Sequence, residues 1–281
     1  MNAAGETLGA FFGREPRTAL VEVADAAGST PREKGAWMLV GSRSIFGTIG
    51  GGQLEFRAIE AARRALDDTP TAEAQTLDIP LGPEIGQCCG GRVQVAISRV
   101  DRQTRDMLLR RAQEEESSRP HVYLFGGGHV GRALAAALAL LPVRTTVVET
   151  RPDAAEGFPP GIEARLTPVP EEVVRAAPPG SAFVVLTHEH ALDFLIVAEA
   201  LKRADAAYVG MIGSKTKRAT FRSWYLKSAG GLEADVGRLT SPIGGASVPD
   251  KRPAVIAALA AAEIMTALFS ARIRGPTGSR G

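Results

Sequence analysis

The chain has 281 residues, with 33 Lys and Arg against 31 Asp and Glu, a formal charge of +2, 44% hydrophobic and 23% charged residues. That length is ample for a buried core and allows two modest domains, which excludes a peptide or knottin, and the composition excludes a disordered chain. Near-neutral charge without a long basic run excludes a general nucleic-acid binder.

In chain order, a helix is expected over 1–12, a strand over 19–24, a strand pair over 36–40 and 44–49, and a helix over 54–66. Strands over 74–79 and 92–98 follow, and these short β-rich runs punctuated by glycine indicate an α+β domain over 1–100. Half of residues 101–120 are charged, so this stretch reads as a linker helix. From 121 to 271 the rhythm changes to strand 121–125, helix 130–141, strands 144–149 and 182–186, helix 193–203, strand 207–211 and helix 215–228. Alternation of this kind predicts a parallel sheet covered by helices. The fold class is therefore α/β, an N-terminal α+β domain followed by a Rossmann-like parallel-sheet domain.

The stretch 254–271 is apolar all round but carries Glu263 and falls short of the roughly 20 strongly apolar residues that span a bilayer. It reads as a buried helix without membrane association, and its apolar surface also allows a homodimer contact. Residues 272–281 read as a frayed tail. The N-terminus lacks a signal-peptide pattern, and the two cysteines, Cys88 and Cys89, are adjacent and cannot staple distant parts of a fold. A reducing, cytoplasmic location is expected.

Four segments carry chemistry. Gly28-Ser-Thr-Pro-Arg-Glu-Lys-Gly35 combines the hydroxyls of Ser29 and Thr30 with the guanidinium of Arg32, which suits an anion. Gly50, Gly51 and Gly52 lead directly into a helix and offer unblocked N–H groups to a phosphate, while Glu55 sits in that helix's first turn, where a carboxylate is favourable in any case. Gly86-Gln-Cys-Cys-Gly-Gly91 sets Cys88 and Cys89 in a glycine frame, which suits reactive sulfur or a soft-metal contact. In the second half, Gly126, Gly128 and Gly131 form a G-x-G-x-x-G between strand and helix, where Gly128 would let a diphosphate approach the backbone. Glu149 ends the next strand, 18 residues after Gly131, where an acceptor for a free ribose 2′-hydroxyl is expected.

His188 and His190 lie in Thr187-His-Glu-His-Ala-Leu-Asp193, which departs from the H-x-H-x-D-H pattern of dinuclear metal hydrolases. His188 is read instead as a pocket residue at the C-terminal edge of the sheet.

Together these strings resemble the XdhC/CoxI family, accessory proteins of xanthine dehydrogenase and related molybdenum hydroxylases. The matching residues are Gly28-Ser-Thr-Pro-Arg32, Gly47-Thr-Ile-Gly-Gly-Gly52 with Glu55, Cys89-Gly-Gly91, Phe125-Gly-Gly-Gly-His-Val-Gly131, Glu149-Thr-Arg-Pro-Asp153, Thr187-His188, Tyr208-Val-Gly-Met-Ile-Gly-Ser214 and Ser241-Pro-Ile-Gly244. One departure is Val248-Pro-Asp-Lys-Arg-Pro253, where a more acidic lead into the last helix is usual in the family.

The resemblance implies a chaperone for the molybdenum cofactor (molybdopterin). Such a protein would protect the cofactor while a cysteine desulfurase helps replace an oxo ligand by sulfur, then deliver it to apo xanthine dehydrogenase or a related molybdenum hydroxylase. Cys88 and Cys89 would contact molybdenum or the transferred sulfur. Two other classes stay open: an NAD-dependent oxidoreductase that binds a nucleotide or NAD in its Rossmann domain, and a metal hydrolase using His188 and His190.

Overall fold

The computed structural model describes residues 7–67, 74–82, 90–245 and 247–273. The chain divides into two compact units, with the boundary in the sequence between Ser117 and Ser118.

The first unit is built on five antiparallel strands, β1 (Thr18–Ala27), β2 (Trp37–Gly41), β3 (Ile45–Gly47), β4 (Gln75–Pro80) and β5 (Arg92–Arg99), in the order β3-β2-β1-β5-β4. Strand side chains alternate in direction, so Val21, Val23, Met38, Val40, Val95 and Ile97 share one face. Against it lies the buried stripe of α2 (Gly52–Asp67), Leu54, Ala58, Ala61, Ala62 and Leu66. The other face, with Leu20 and Leu39, is covered by Phe11 and Phe12 of α1 (Leu8–Arg14) and by Leu108 of α3 (Arg102–Ser117). The charged helix expected to link the two halves is thus seated on the first. Its single buried side chain, Leu108, holds it there while its charges face solvent.

One acid fixes the β2–β3 turn. The buried Glu15 carboxylate accepts hydrogen bonds from the backbone N–H groups of Ser42, Arg43 and Ser44 at 2.9–3.2 Å and from both serine hydroxyls. Burial alone would raise its pKa, but these donors hold it below the ordinary value.

The second unit carries six parallel strands, β6 (His121–Phe125), β7 (Arg144–Glu149), β8 (Ile162–Leu166), β9 (Ala182–Val185), β10 (Tyr208–Met211) and β11 (Leu239–Thr240), in the order β11-β10-β9-β6-β7-β8. The chain leaves β6 toward β7 and β8, then returns to build β9, β10 and β11 on the other side. That is the doubly wound Rossmann order, with its switch point between β6 and β9. One face packs on α5 (Pro170–Ala176), α6 (His190–Lys202) and α7 (Lys215–Ser228), through Phe125, Phe183, Val185 and Met211 against Val174, Ile196, Val197 and Phe221. The other packs on α4 (His129–Leu138) and α9 (Pro253–Ile273), through Val122, Leu124, Val147 and Val184 against Leu134, Leu138, Ala260 and Ile264. A short α8 (Glu233–Gly237) precedes β11. β8, α5, α8 and β11 are additions to the predicted elements.

Among the described residues, α9 is the one helix long and apolar enough to cross a membrane by length and composition. In this fold its stripe of Ala257, Ala260, Ala261, Ile264 and Leu268 is buried. Glu263 accepts from the Tyr208 hydroxyl and the Gly244 N–H, both at 2.9 Å, which ties the helix to β10 and to the loop after β11.

Candidate functional site

Each unit gathers predicted site residues at one place. In the first, the turn after β1, the turn before α2 and the residues before β5 converge. Gly50 has φ +125°, and a Cβ added there would stand 2.6 Å from Pro31 Cγ, so the two turns lie against each other. Ser29 pairs with Gly90 in an isolated bridge, and a Cβ at Gly91 would meet the Ser29 carbonyl oxygen at 2.3 Å. Ser29, Thr30, Arg32, Gly50, Gly51, Gly52 and Gly90 therefore share one end of the antiparallel sheet. Cys88 and Cys89 lie outside the described residues, and Cys89 directly precedes Gly90 in the chain.

The glycine turn is not the open phosphate cradle expected. Glu55 Oε2 accepts the N–H groups of Ile49 and Gly51, both at 3.1 Å, as well as the Thr48 hydroxyl, and Gly50 N–H donates to Thr48 Oγ1 at 3.0 Å. The protein's own carboxylate occupies the place an anion would take. The first-turn position of Glu55 was legible, but its reach back over seven residues to Thr48 was not. Arg32 and Lys34 at this end are exposed beside a shallow cleft of about 440 Å3 and form no ion pair among the described residues, whereas Arg92, which follows Gly91, is paired with Asp78.

In the second unit, Gly126, Gly128, His129, Glu149, Arg151 and His188 line a cleft of about 230 Å3 at the C-terminal ends of β6, β7 and β9, with Val130, Leu186 and Ile212 as its apolar walls. The loop glycines have distinct reasons to be there. A Cβ at Gly127 would stand 2.1 Å from the Ala154 carbonyl oxygen, and one at Gly131 would stand 2.0 Å from that of Gly126. Gly128 has an ordinary φ of −71° and open space around its missing Cβ.

Glu149, expected to face a ribose, clasps the loop instead. Its buried carboxylate accepts the N–H groups of Gly127 (2.9 Å), Thr150 (2.9 Å) and Arg151 (3.2 Å), and the Arg151 guanidinium lies 3.5 Å away. Burial pushes its pKa up, but the backbone donors, led by Gly127, outweigh that and hold it below the ordinary carboxylate value. Arg151 Nε is buried and has no hydrogen-bond partner.

Sequence reasoning missed the support beneath the cleft. Asp193 is fully buried, accepts the Thr187 hydroxyl at 2.6 Å and the Thr187 N–H at 3.1 Å, and is ion-paired with the buried Lys217. Lys217 also donates to the Ile212 carbonyl at 3.0 Å. The pair fixes two cleft-lining segments, 187–188 and 212, from below. Asp193, which completes the His188-Glu189-His190 segment in sequence, is thereby withdrawn from any metal. Among the described residues no group of three or more His, Cys, Asp and Glu is placed to hold a metal ion.

Two family descriptions match this chain: the XdhC Rossmann domain over residues 122–264, and the XdhC and CoxI family over residues 13–78. An Escherichia coli K12 relative, "Uncharacterized protein YqeB", is 28% identical over 244 residues. The match covers 83% of this chain but 41% of that protein, so the chain spans about two-fifths of its relative's length. A solved structure described as a xanthine dehydrogenase from Bacillus halodurans superposes with a TM-score of 0.77 at 18% identity, over 94% of this chain and 95% of that one. At that identity the likeness is one of fold.

Proposed function

The chain belongs to the XdhC and CoxI family, and from that membership we propose that it is a carrier of the molybdenum cofactor in the maturation of xanthine dehydrogenase or a related molybdenum hydroxylase. The cofactor is cargo. It presents a phosphate, a dithiolene and the metal, and the carrier shields it until a cysteine desulfurase has supplied sulfur and the apo-hydroxylase takes it up.

The observation that supports this reading most is the convergence of the turn after β1, the turn before α2 and Gly90-Gly91 at one end of the first unit. Arg32 and Lys34 supply exposed cations for the cargo's phosphate, in place of the amides that Glu55 occupies. Ser29 and Thr30 supply hydroxyl donors, and Gly90, which pairs with Ser29, directly follows Cys88 and Cys89 in the sequence. A thiolate suits both molybdenum and transferred sulfur. Hydroxylase activation tests the proposal: the parent chain, given sulfurated cofactor, is expected to activate an apo-hydroxylase, and Cys88→Ala, Cys89→Ala is expected to fail. Equal activation by the two proteins would sink the assignment of the thiols.

A further inference from the structure

The second unit has no part in that reading. Its doubly wound order implies a dinucleotide across the strand ends, with the diphosphate on the loop before α4 and the adenosine ribose on the acid that ends β7. The residues present do not fit that group. We propose that this unit binds no NAD or other adenine dinucleotide, because its own side chains and backbone fill the place of the adenosine half.

The first obstacle is Glu149. Its Oε1 accepts the N–H groups of Thr150 and Arg151 and the Thr150 hydroxyl, and its Oε2 accepts the N–H of Gly127 and a bond from the Arg151 guanidinium. A carboxylate offers about four lone-pair sites, so these donors leave none for a ribose hydroxyl. The residue is also buried.

The second obstacle is the chain after β7. A Cβ at Gly127 would stand 2.1 Å from the Ala154 carbonyl oxygen and 3.2 Å from the Phe158 ring, so residues 154–158 fold back onto the glycine loop. Arg132 of α4 pins this strap: its guanidinium lies 5.1 Å from the centre of the Phe158 ring and donates to the Glu156 carbonyl at 2.5 Å. The strap lies on the β7 flank of the loop, where an adenosine would rest. The cleft that remains, about 230 Å3, falls short of the roughly 300 Å3 at which clefts for small ligands begin. The open space at Gly128 adjoins the diphosphate position and leaves the adenosine half closed.

The glycine pattern has a sufficient cause without a nucleotide. Gly126 has φ +120° and meets the Leu186 carbonyl, Gly127 meets Ala154, and Gly131 meets Gly126, each at a distance that excludes a Cβ.

Isothermal titration of the full chain with NAD+, NADH and NADP+, each to about 1 mM, tests this beside amide hydrogen exchange of residues 126–131 and 149–152. No saturable binding is expected. The amides of Gly127, Thr150 and Arg151 are expected to exchange roughly tenfold or more slower than unstructured amides, the worth of a hydrogen bond to a charged group, and to keep that rate in NAD+. Binding of any of these dinucleotides with a Kd of about 1 mM or tighter, or exchange of those amides at the unstructured rate, would overturn the proposal.

Discussion

Replacing Glu149 by Gln tests how the glycine loop is held. The carboxylate is 5% exposed and accepts three backbone N–H groups. Glutamine keeps one acceptor oxygen and turns an NH2 group toward the remaining donors. At least one buried N–H is then left unsatisfied at a cost of about 1–3 kcal/mol, and the surviving bonds lose their charge assistance. A total of about 2–3 kcal/mol is expected, which at about 2–4 °C per kcal/mol for a unit of this size lowers its unfolding temperature by about 4–12 °C.

Trp224 fluorescence in a Trp37→Phe background follows the second unit alone, because these are the chain's two tryptophans. The pH dependence has a definite sign. The folded-state pKa of Glu149 lies below the ordinary 4.5, so its contribution is complete above the unfolded value and is lost as pH falls through the folded one. The gap between parent and variant should be full at neutral pH and close in acid. A gap below about 0.5 kcal/mol at neutral pH, within the range of ordinary surface substitutions, or one unchanged in acid, would refute the clasp.

Two further predictions concern supports the sequence did not reveal. Lys217→Met leaves the buried Asp193 without its counter-charge and should cost about 3–5 kcal/mol, whereas Asp193→Leu, Lys217→Met should recover most of that loss in urea unfolding followed by Trp224. Leu108→Ala should destabilise the first unit by about 2–5 kcal/mol, read from Trp37, because Leu108 seats α3. Glu114→Ala, on the exposed face of the same helix, should stay within about 0.5 kcal/mol.

Much of the second unit was legible because its signals are local. The strand 121–125, the glycine loop and the helix after it follow one another within a dozen residues, and Ser214 caps α7 at the predicted start, accepting the N–H of Lys217 at 3.2 Å. β8 was missed because it is an edge strand whose side chains are mostly exposed, so Ile162-Glu-Ala-Arg-Leu166 has no buried face to betray it. β11 has two residues and too little sequence for a pattern.

At the sites, residue types were readable and partners were not. Glu55 and Glu149 were both recognised as acids beside glycine loops, yet each turns its carboxylate onto loop amides rather than toward a ligand. The pairing of Asp193 with Lys217 spans 24 residues and depends on how α6 and α7 pack. The approach of Gly50 to Pro31, and of Gly91 to Ser29, likewise depends on sheet register.

As a carrier, this chain is expected to hold molybdenum cofactor on the loops of its first unit. The direct measurement is the molybdenum retained per chain after gel filtration of the full protein mixed with molybdenum cofactor, beside the Cys88→Ala, Cys89→Ala variant and a parallel mixture with NAD. Stoichiometric molybdenum is expected on the parent chain and a loss of roughly tenfold or more on the variant, corresponding to about 1.4 kcal/mol of binding energy. Molybdenum retained equally by both proteins, or NAD retained by a parent chain that holds no molybdenum, would contradict it.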